Sequence, residues 1–277
     1  MSITSHGFYK KLRFLTYFLQ GRHVLQIQKY AILPERLVYP HFNWYNYDMH
    51  QQKLYMLNNE ENSMIYKESF DLAELTLELY TPDAVSQVIY LFDIPEDVNL
   101  PYDLVEETET ACVIISDPTS DQDFSLFSPE DPDNEKAHAF LGRLYYDIIP
   151  EAEDMLSEIA ICPEFFDKHR MIFGMNDASL FSLYAAYRTD LFSSAATFNP
   201  DLTGEGFMSF ARHFAIYKGI EKVSILTEDE ASARDFSDIL SKQGKEALIY
   251  KVKPEHQKNP EILLYLAVSL LISEHNF

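Results

Sequence analysis

From residue 66 onward the chain alternates between segments that suit strands and segments that suit helices, and no other feature restricts its fold as much. "LAELTLELYTP", residues 72–82, alternates at period two, the pattern of a half-exposed strand. "SQVIYLFD" and "ACVIISD" are short unbroken apolar runs of buried-strand type, and each ends in an aspartate. "EKAHAFLGRLYYDII" sets Ala137, Phe140, Leu141, Leu144 and Ile148 on one helical face, with Pro150 ending or kinking the run. "RMIFGM", "SAATFN", "KVSILT" and "EALIYKVK" then read as strands. "ASLFSLYAAYR", "FMSFARHFAIYKG" and "SARDFSDILSKQG" read as the helices between them, with Gly219 and Gly244 at helix C-termini. Such alternation predicts a mainly parallel sheet covered by helices on both faces.

Residues 1–65 differ. They are rich in Tyr, Phe, His and Asn, as in "YPHFNWYNYDMHQQKLYML", and suit short strands. They are read as a β-rich N-terminal extension packed on a main domain of residues 66–277. Aromatic packing against that body is the commoner outcome, and an aromatic ligand platform is the alternative. Residues 1–60 hold seven Lys/Arg against three Asp/Glu, whereas residues 61–277 hold 15 against 41. A body this acidic repels phosphate backbones, which argues against nucleic acid as a partner. The acidity serves solubility, or lets the basic N-terminal segment dock on the body or on a second copy.

The start of the chain lacks the pattern of a secretion signal, and the longest apolar run, "ILLYLAVSLLI" at 262–272, is shorter than the roughly 20 residues that cross a bilayer. It is expected to be a buried C-terminal helix, with no membrane partner. Cys112 and Cys162 lie far apart in apolar surroundings, which favours reduced thiols and a cytoplasmic setting.

One stretch bears on chemistry: "MIFGMNDASLFSLYAAYRTDLFSSAATFNPDL", residues 171–202, has the outline of a strand, a sharp turn, a helix and a second strand. With "LTLELYTP…VIYLFDIPED" before it, "FLGRLYYDIIPEAEDML" preceding the turn, and "KVKPEHQKNPEILLYLAVSLL" closing the chain, it resembles an esterase family of the α/β-hydrolase superfamily. That family contains enterochelin esterases, S-formylglutathione hydrolases and mycolyltransferases. The resemblance covers roughly residues 66–275 and implies a three-layer α/β-hydrolase fold with a Gly-x-Ser-x-Gly nucleophile elbow. On it, Asn176 occupies the nucleophile position, His256 the base position and Asp229 the acid position, with Glu228 and Glu230 as alternatives. Ile94 and Asp177 fall at the oxyanion-hole positions.

The departures from that pattern matter more than the match. Gly174 keeps the first small residue of the elbow, but Ala178 and Ser179 replace the later glycines. A carboxamide is a poor nucleophile that no neighbouring base can turn into an alkoxide, although asparagine tolerates the turn's backbone angles better than most residues. Pro95, after Ile94, has no N–H to donate to an oxyanion. Asp177 and Ser179 are substitutes for the missing hydroxyl, but the first points away from the histidine position and the second lies a helical turn later. A histidine in an exposed loop and three acids in a solvated loop are the bland alternatives for His256 and residues 228–230.

No phosphate loop, His-Glu-x-x-His or paired Cys-x-x-Cys is present, and neither cofactor nor metal is expected. Two functional classes follow. One is a non-catalytic esterase-like protein that binds a small molecule, a protein or a second copy of itself. The other is a carboxylic-ester hydrolase or acyltransferase with a non-standard nucleophile.

Overall fold

The structure is a computed structural model that describes residues 54–57, 64–72, 75–95, 98–116, 134–162, 169–176, 178–203 and 205–273. Its described part holds a nine-stranded sheet in the order β1-β2-β3-β5-β4-β6-β7-β8-β9. The strands are β1 Leu54–Leu57, β2 Met64–Leu72, β3 Leu75–Thr81, β4 Gln87–Phe92, β5 Thr110–Ser116, β6 Arg170–Gly174, β7 Ser194–Phe198, β8 Lys222–Thr227 and β9 Ala247–Lys251. β1 to β3 run antiparallel to their neighbours, and β5, β4, β6, β7, β8 and β9 are mutually parallel. β2 spans the 65/66 junction, and the sequence before residue 54 lies outside the described residues.

The helices are α1 Tyr102–Glu107, α2 Glu135–Arg143, α3 Ile149–Ile159, α4 Ala178–Arg188, α5 Glu205–His213, α6 Glu230–Lys242 and α7 Pro260–Ile272. Chain winding sorts them into layers. The step from β4 to β5 goes one way along the sheet, and the steps from β6 through β9 go the other. Right-handed crossovers therefore place their helices on opposite faces. α2 to α6 bury Phe140, Leu156, Phe181, Phe207 and Phe236 on one face. On the other, Val105 of α1 joins Leu263, Leu264, Ala267, Val268 and Leu271 of α7. The expected three-layer, mainly parallel architecture is present, and the apolar run 262–272 packs against the sheet.

Three local expectations change. The helix read over 207–219 ends at His213, because the next residues find partners elsewhere. Gln243 accepts from the Ile216 N–H and donates to Ala211 and Phe214 carbonyls, and Lys245 Nζ holds the Lys218 and Ile220 carbonyls. Gly219 accordingly lies in a turn beyond the helix, whereas Gly244 follows α6 with φ +76°, the left-handed helix-ending glycine. Of the two outcomes read for Pro150, ending or kinking the run, the end does not occur. The backbone widens into a π turn over Leu144–Ile148, where the Ile149 N–H reaches the Leu144 carbonyl, and α3 continues through the proline's first turn.

Both cysteines are reduced thiols. Burial pushes Cys112 up to about 12 and, with Glu153 nearby, Cys162 up to about 11, so neither is a ready thiolate.

Candidate active site

The chain reverses its winding direction between β4 and β6, and the carboxyl ends of these strands flank the crevice that such a switch opens. Three adjacent strands, β4, β6 and β7, are each followed by a residue in the left-handed region: Asp93 at φ 57°, Asn176 at φ 43° and Asn199 at φ 54°. Aspartate and asparagine are the non-glycine residues that adopt this geometry most readily.

The turn after β6 is set by close backbone packing. The Met175 N–H donates to the Phe92 carbonyl at 3.2 Å, tying the turn to the end of β4. A Cβ on Gly174 would stand 2.0 Å from the Ala178 carbonyl oxygen, so only glycine lets α4 start where it does. The Ser179 N–H then accepts the role of first helical donor, bonding the Asn176 carbonyl at 3.1 Å. Asn176 itself is exposed at the crest of the turn, and its carboxamide bonds to no described residue. Asp177 lies outside the described residues. Ser179 is 4% exposed in the first turn of α4, beneath the crest. Ile94 is buried in the layer that also holds Met175 and Val252.

The acid-bearing loop after β8 is organised differently. Asp229 caps α6: its Oδ1 accepts from the Ala231 N–H at 3.0 Å and its Oδ2 from the Ser232 hydroxyl at 2.7 Å. These bonds, the Ser232 hydroxyl first, hold its carboxyl below the usual range. Glu230 pairs with Arg234 at 2.8 Å and Lys251 at 3.4 Å. Glu228 is exposed, and its carboxylate bonds to no described residue. His256 lies in the turn between β9 and α7, where its N–H donates to the Lys253 carbonyl and its own carbonyl accepts from Asn259. Its ring is half-buried, and the buried Nδ1 has no hydrogen-bond partner among the described residues. None of the three acids bonds to His256. The loops after β4, β6, β8 and β9 thus share the carboxyl edge of the sheet, while the hydrogen bonds of a base–acid relay are not formed.

Two features of this edge escaped the sequence reading. Asn199 joins the ends of β7 and β8, its N–H donating to the Leu226 carbonyl at 2.8 Å and its Oδ1 accepting from the Glu228 N–H at 3.1 Å. The signal was an asparagine before a proline at a strand end. Asn99 holds Glu261 of α7 through a 2.6 Å bond, linking the loop after β4 to the segment that follows His256. No cluster of three metal-ligating side chains occurs among the described residues, and no helix among them is long and apolar enough to cross a membrane.

Solved structures share this fold. The enterobactin and salmochelin hydrolase IroE superposes with a TM-score of 0.57 at 13% identity, over 78% of this chain and 98% of that one. Its complex with DFP gives 0.55 at 14% identity over the same shares. A cold-adapted esterase from an Arctic intertidal metagenomic library gives 0.50 at 13% identity, over 81% of this chain and 98% of that one. The chain has the α/β-hydrolase fold. At these identities the likeness is one of fold alone, and the esterase-like architecture read from the sequence is borne out at that level. Protein-family models and curated protein sequences give no match.

Proposed function

We propose that this chain is a non-catalytic α/β-hydrolase-fold protein that binds a small molecule or a protein partner at the carboxyl edge of its sheet. The observation that carries this reading is Asn176, which stands exposed at the crest of a tight left-handed turn with a carboxamide bonded to no described residue. Such a group is chemically inert as a nucleophile yet offers both a donor and an acceptor to a ligand. The engagement of Asp229 in helix capping and of Glu230 in surface ion pairs supports the same conclusion, because His256 Nδ1 is left without an acid to orient it. The acidic, cysteine-poor chain fits a cytoplasmic protein that does not act on nucleic acid.

Hydrolysis of short-chain p-nitrophenyl esters tests the proposal. Wild-type protein is expected to give neither a burst nor turnover above background. Asn176→Ser restores the hydroxyl but not the relay, and is expected to stay inactive while folding normally. Wild-type turnover that vanishes in Ser179→Ala or Asp177→Asn, with folding intact, overturns the non-catalytic reading and favours the hydrolase or acyltransferase.

A further inference from the structure

Residues 253–261 join β9 to α7 and carry His256, yet none of their side chains is fully buried; the nearest buried residues are Val252 before them and Leu263 after them. Hydrogen bonds, not packing, therefore hold this turn in place. Inside it the His256 N–H donates to the Lys253 carbonyl and the Asn259 N–H to the His256 carbonyl, and Asn259 caps α7 by accepting from the Ile262 N–H. Among the described residues, only Asn99 bonds to the turn from outside β9 and α7. It donates to the Glu261 carboxylate through Nδ2 at 2.6 Å and through its backbone N–H at 3.4 Å.

Asn99 stands on a fixed wall. The next residue, Leu100, is 4% exposed, and its carbonyl accepts from the Tyr102 N–H at 2.9 Å. α7 packs on β7 and β8, whereas Asn99 follows β4, and β6 lies between them in the sheet. The bond from Asn99 to Glu261 therefore crosses the end of β6, on the face where Met175, Val252 and Leu263 share a layer and beside the turn that carries Asn176. The seated turn has one unfavourable feature. His256 Nδ1 is buried and has no partner among the described residues, a loss that water makes good once the turn swings outward. A short bond to an ionised carboxylate is of the strength needed to offset it. Two states of similar free energy follow, and Asn99 decides between them.

We propose that the Asn99–Glu261 pair is a strap that holds the His256 turn closed against the carboxyl-edge crevice, and that its release admits the ligand. The proposal rests on the reading of that edge as a binding site. Release hydrates His256 Nδ1, and a ligand group that bonds this nitrogen takes the place of the water. Occupancy and strap position are thereby coupled, because the ligand gains a bond in the released state that the closed state does not offer.

Carbethoxylation by diethyl pyrocarbonate, followed histidine by histidine through peptide mass spectrometry of the full chain, tests the strap without any ligand. In wild-type protein the half-buried His256 should react more slowly than the exposed His138. Asn99→Asp sets two carboxylates against each other and should speed His256 relative to His138 by at least about tenfold, the factor that goes with one charged hydrogen bond. Adding Glu261→Gln supplies an amide donor to the new carboxylate and should return the rate to near wild type. Glu261→Ala cuts the strap from its other side and should also speed His256, so the test stands even where one variant folds poorly. Circular dichroism melts close to wild type mark the release as local. Wild-type His256 reacting as fast as His138 overturns the proposal. So does an Asn99→Asp rate that is unchanged, that rises equally at both histidines, or that Glu261→Gln leaves high. Ester turnover by wild-type protein overturns only the non-catalytic reading, and leaves the strap to gate a substrate.

Discussion

The two ends of the central strands treat their polar groups in opposite ways. At the amino end of β6, Arg170 Nε and Nη2 bond the Glu153 carboxylate at 2.5 and 2.8 Å, and the hydroxyl of buried Tyr90 in β4 joins them at 3.2 Å. Burial, reinforced by Glu153, pushes the Tyr90 phenol well above its ordinary range, so it remains a neutral donor. At the amino end of β8, the buried Lys222 Nζ holds the Leu270 and Leu271 carbonyls and Ser273, where α7 runs out of internal donors. At the carboxyl end the Asn176 carboxamide, the Glu228 carboxylate and the His256 Nδ1 have no such partners among the described residues. Bonds of the first kind hold elements together, whereas open groups in a crevice are what a ligand can engage. The carboxyl edge nevertheless contains fixed features, the Asn199 link between β7 and β8 and the Gly174 turn, which is set by close backbone packing and by the Met175 N–H bond to the Phe92 carbonyl.

The comparison breaks most sharply at that turn. Gly174→Ala forces a methyl group into the Ala178 carbonyl, main chain against main chain, and should cost more than about 4 kcal/mol or prevent folding. A loss below about 1 kcal/mol in urea unfolding would mean the turn is looser than described. At the amino end, Glu153→Ala removes two of the bonds of the Arg170 guanidinium and the acceptor of the buried Tyr90 hydroxyl, and should cost about 2 kcal/mol. A near-neutral result would remove the contrast between the two ends. The smallest effect belongs to Asp229→Ala. The folded-state pKa of Asp229 lies below its ordinary 3.8, so its capping contribution is present above that pH and fades as pH falls through the lowered value. The variant should therefore melt earlier than wild type at neutral pH, with the difference disappearing in strong acid. A change in the His256 titration in that variant, followed by NMR, would instead tie Asp229 to the histidine and sharpen the carboxyl edge toward a catalytic role.

Much of the architecture was legible because buried strands and amphipathic helices leave different periods in sequence. β4, β5, β7 and β8 appear as short apolar runs, and the turn at Asn176 appears through Gly174 and the ungapped helix that follows. Less was legible where long-range bonds override local preference. "FMSFARHFAIYKG" has a helical pattern throughout, but Gln243 and Lys245, about thirty residues later, take the carbonyls and N–H that would have continued α5. The triad positions divide in the same way. Asn176 could be placed from neighbouring residues, whereas whether Asp229 turns to His256 or to its own helix depends on competing partners that a linear pattern does not rank.

The sequence by itself determined that the chain builds a mainly parallel sheet with helices on both faces, and that the turn after β6 has no hydroxyl at its crest. Periodicity and side-chain chemistry are local properties, so both follow from the order of residues. Only the tertiary structure decided the rest. It gave Asp229 to the α6 N-terminus and Glu230 to Arg234 and Lys251, and among the described residues left His256 Nδ1 without an acceptor and the outer edge of β9 without a strand partner. Each of these outcomes is a choice among partners far apart in the chain, and a hydrogen bond goes to whichever group the packed backbone brings within about 3 Å.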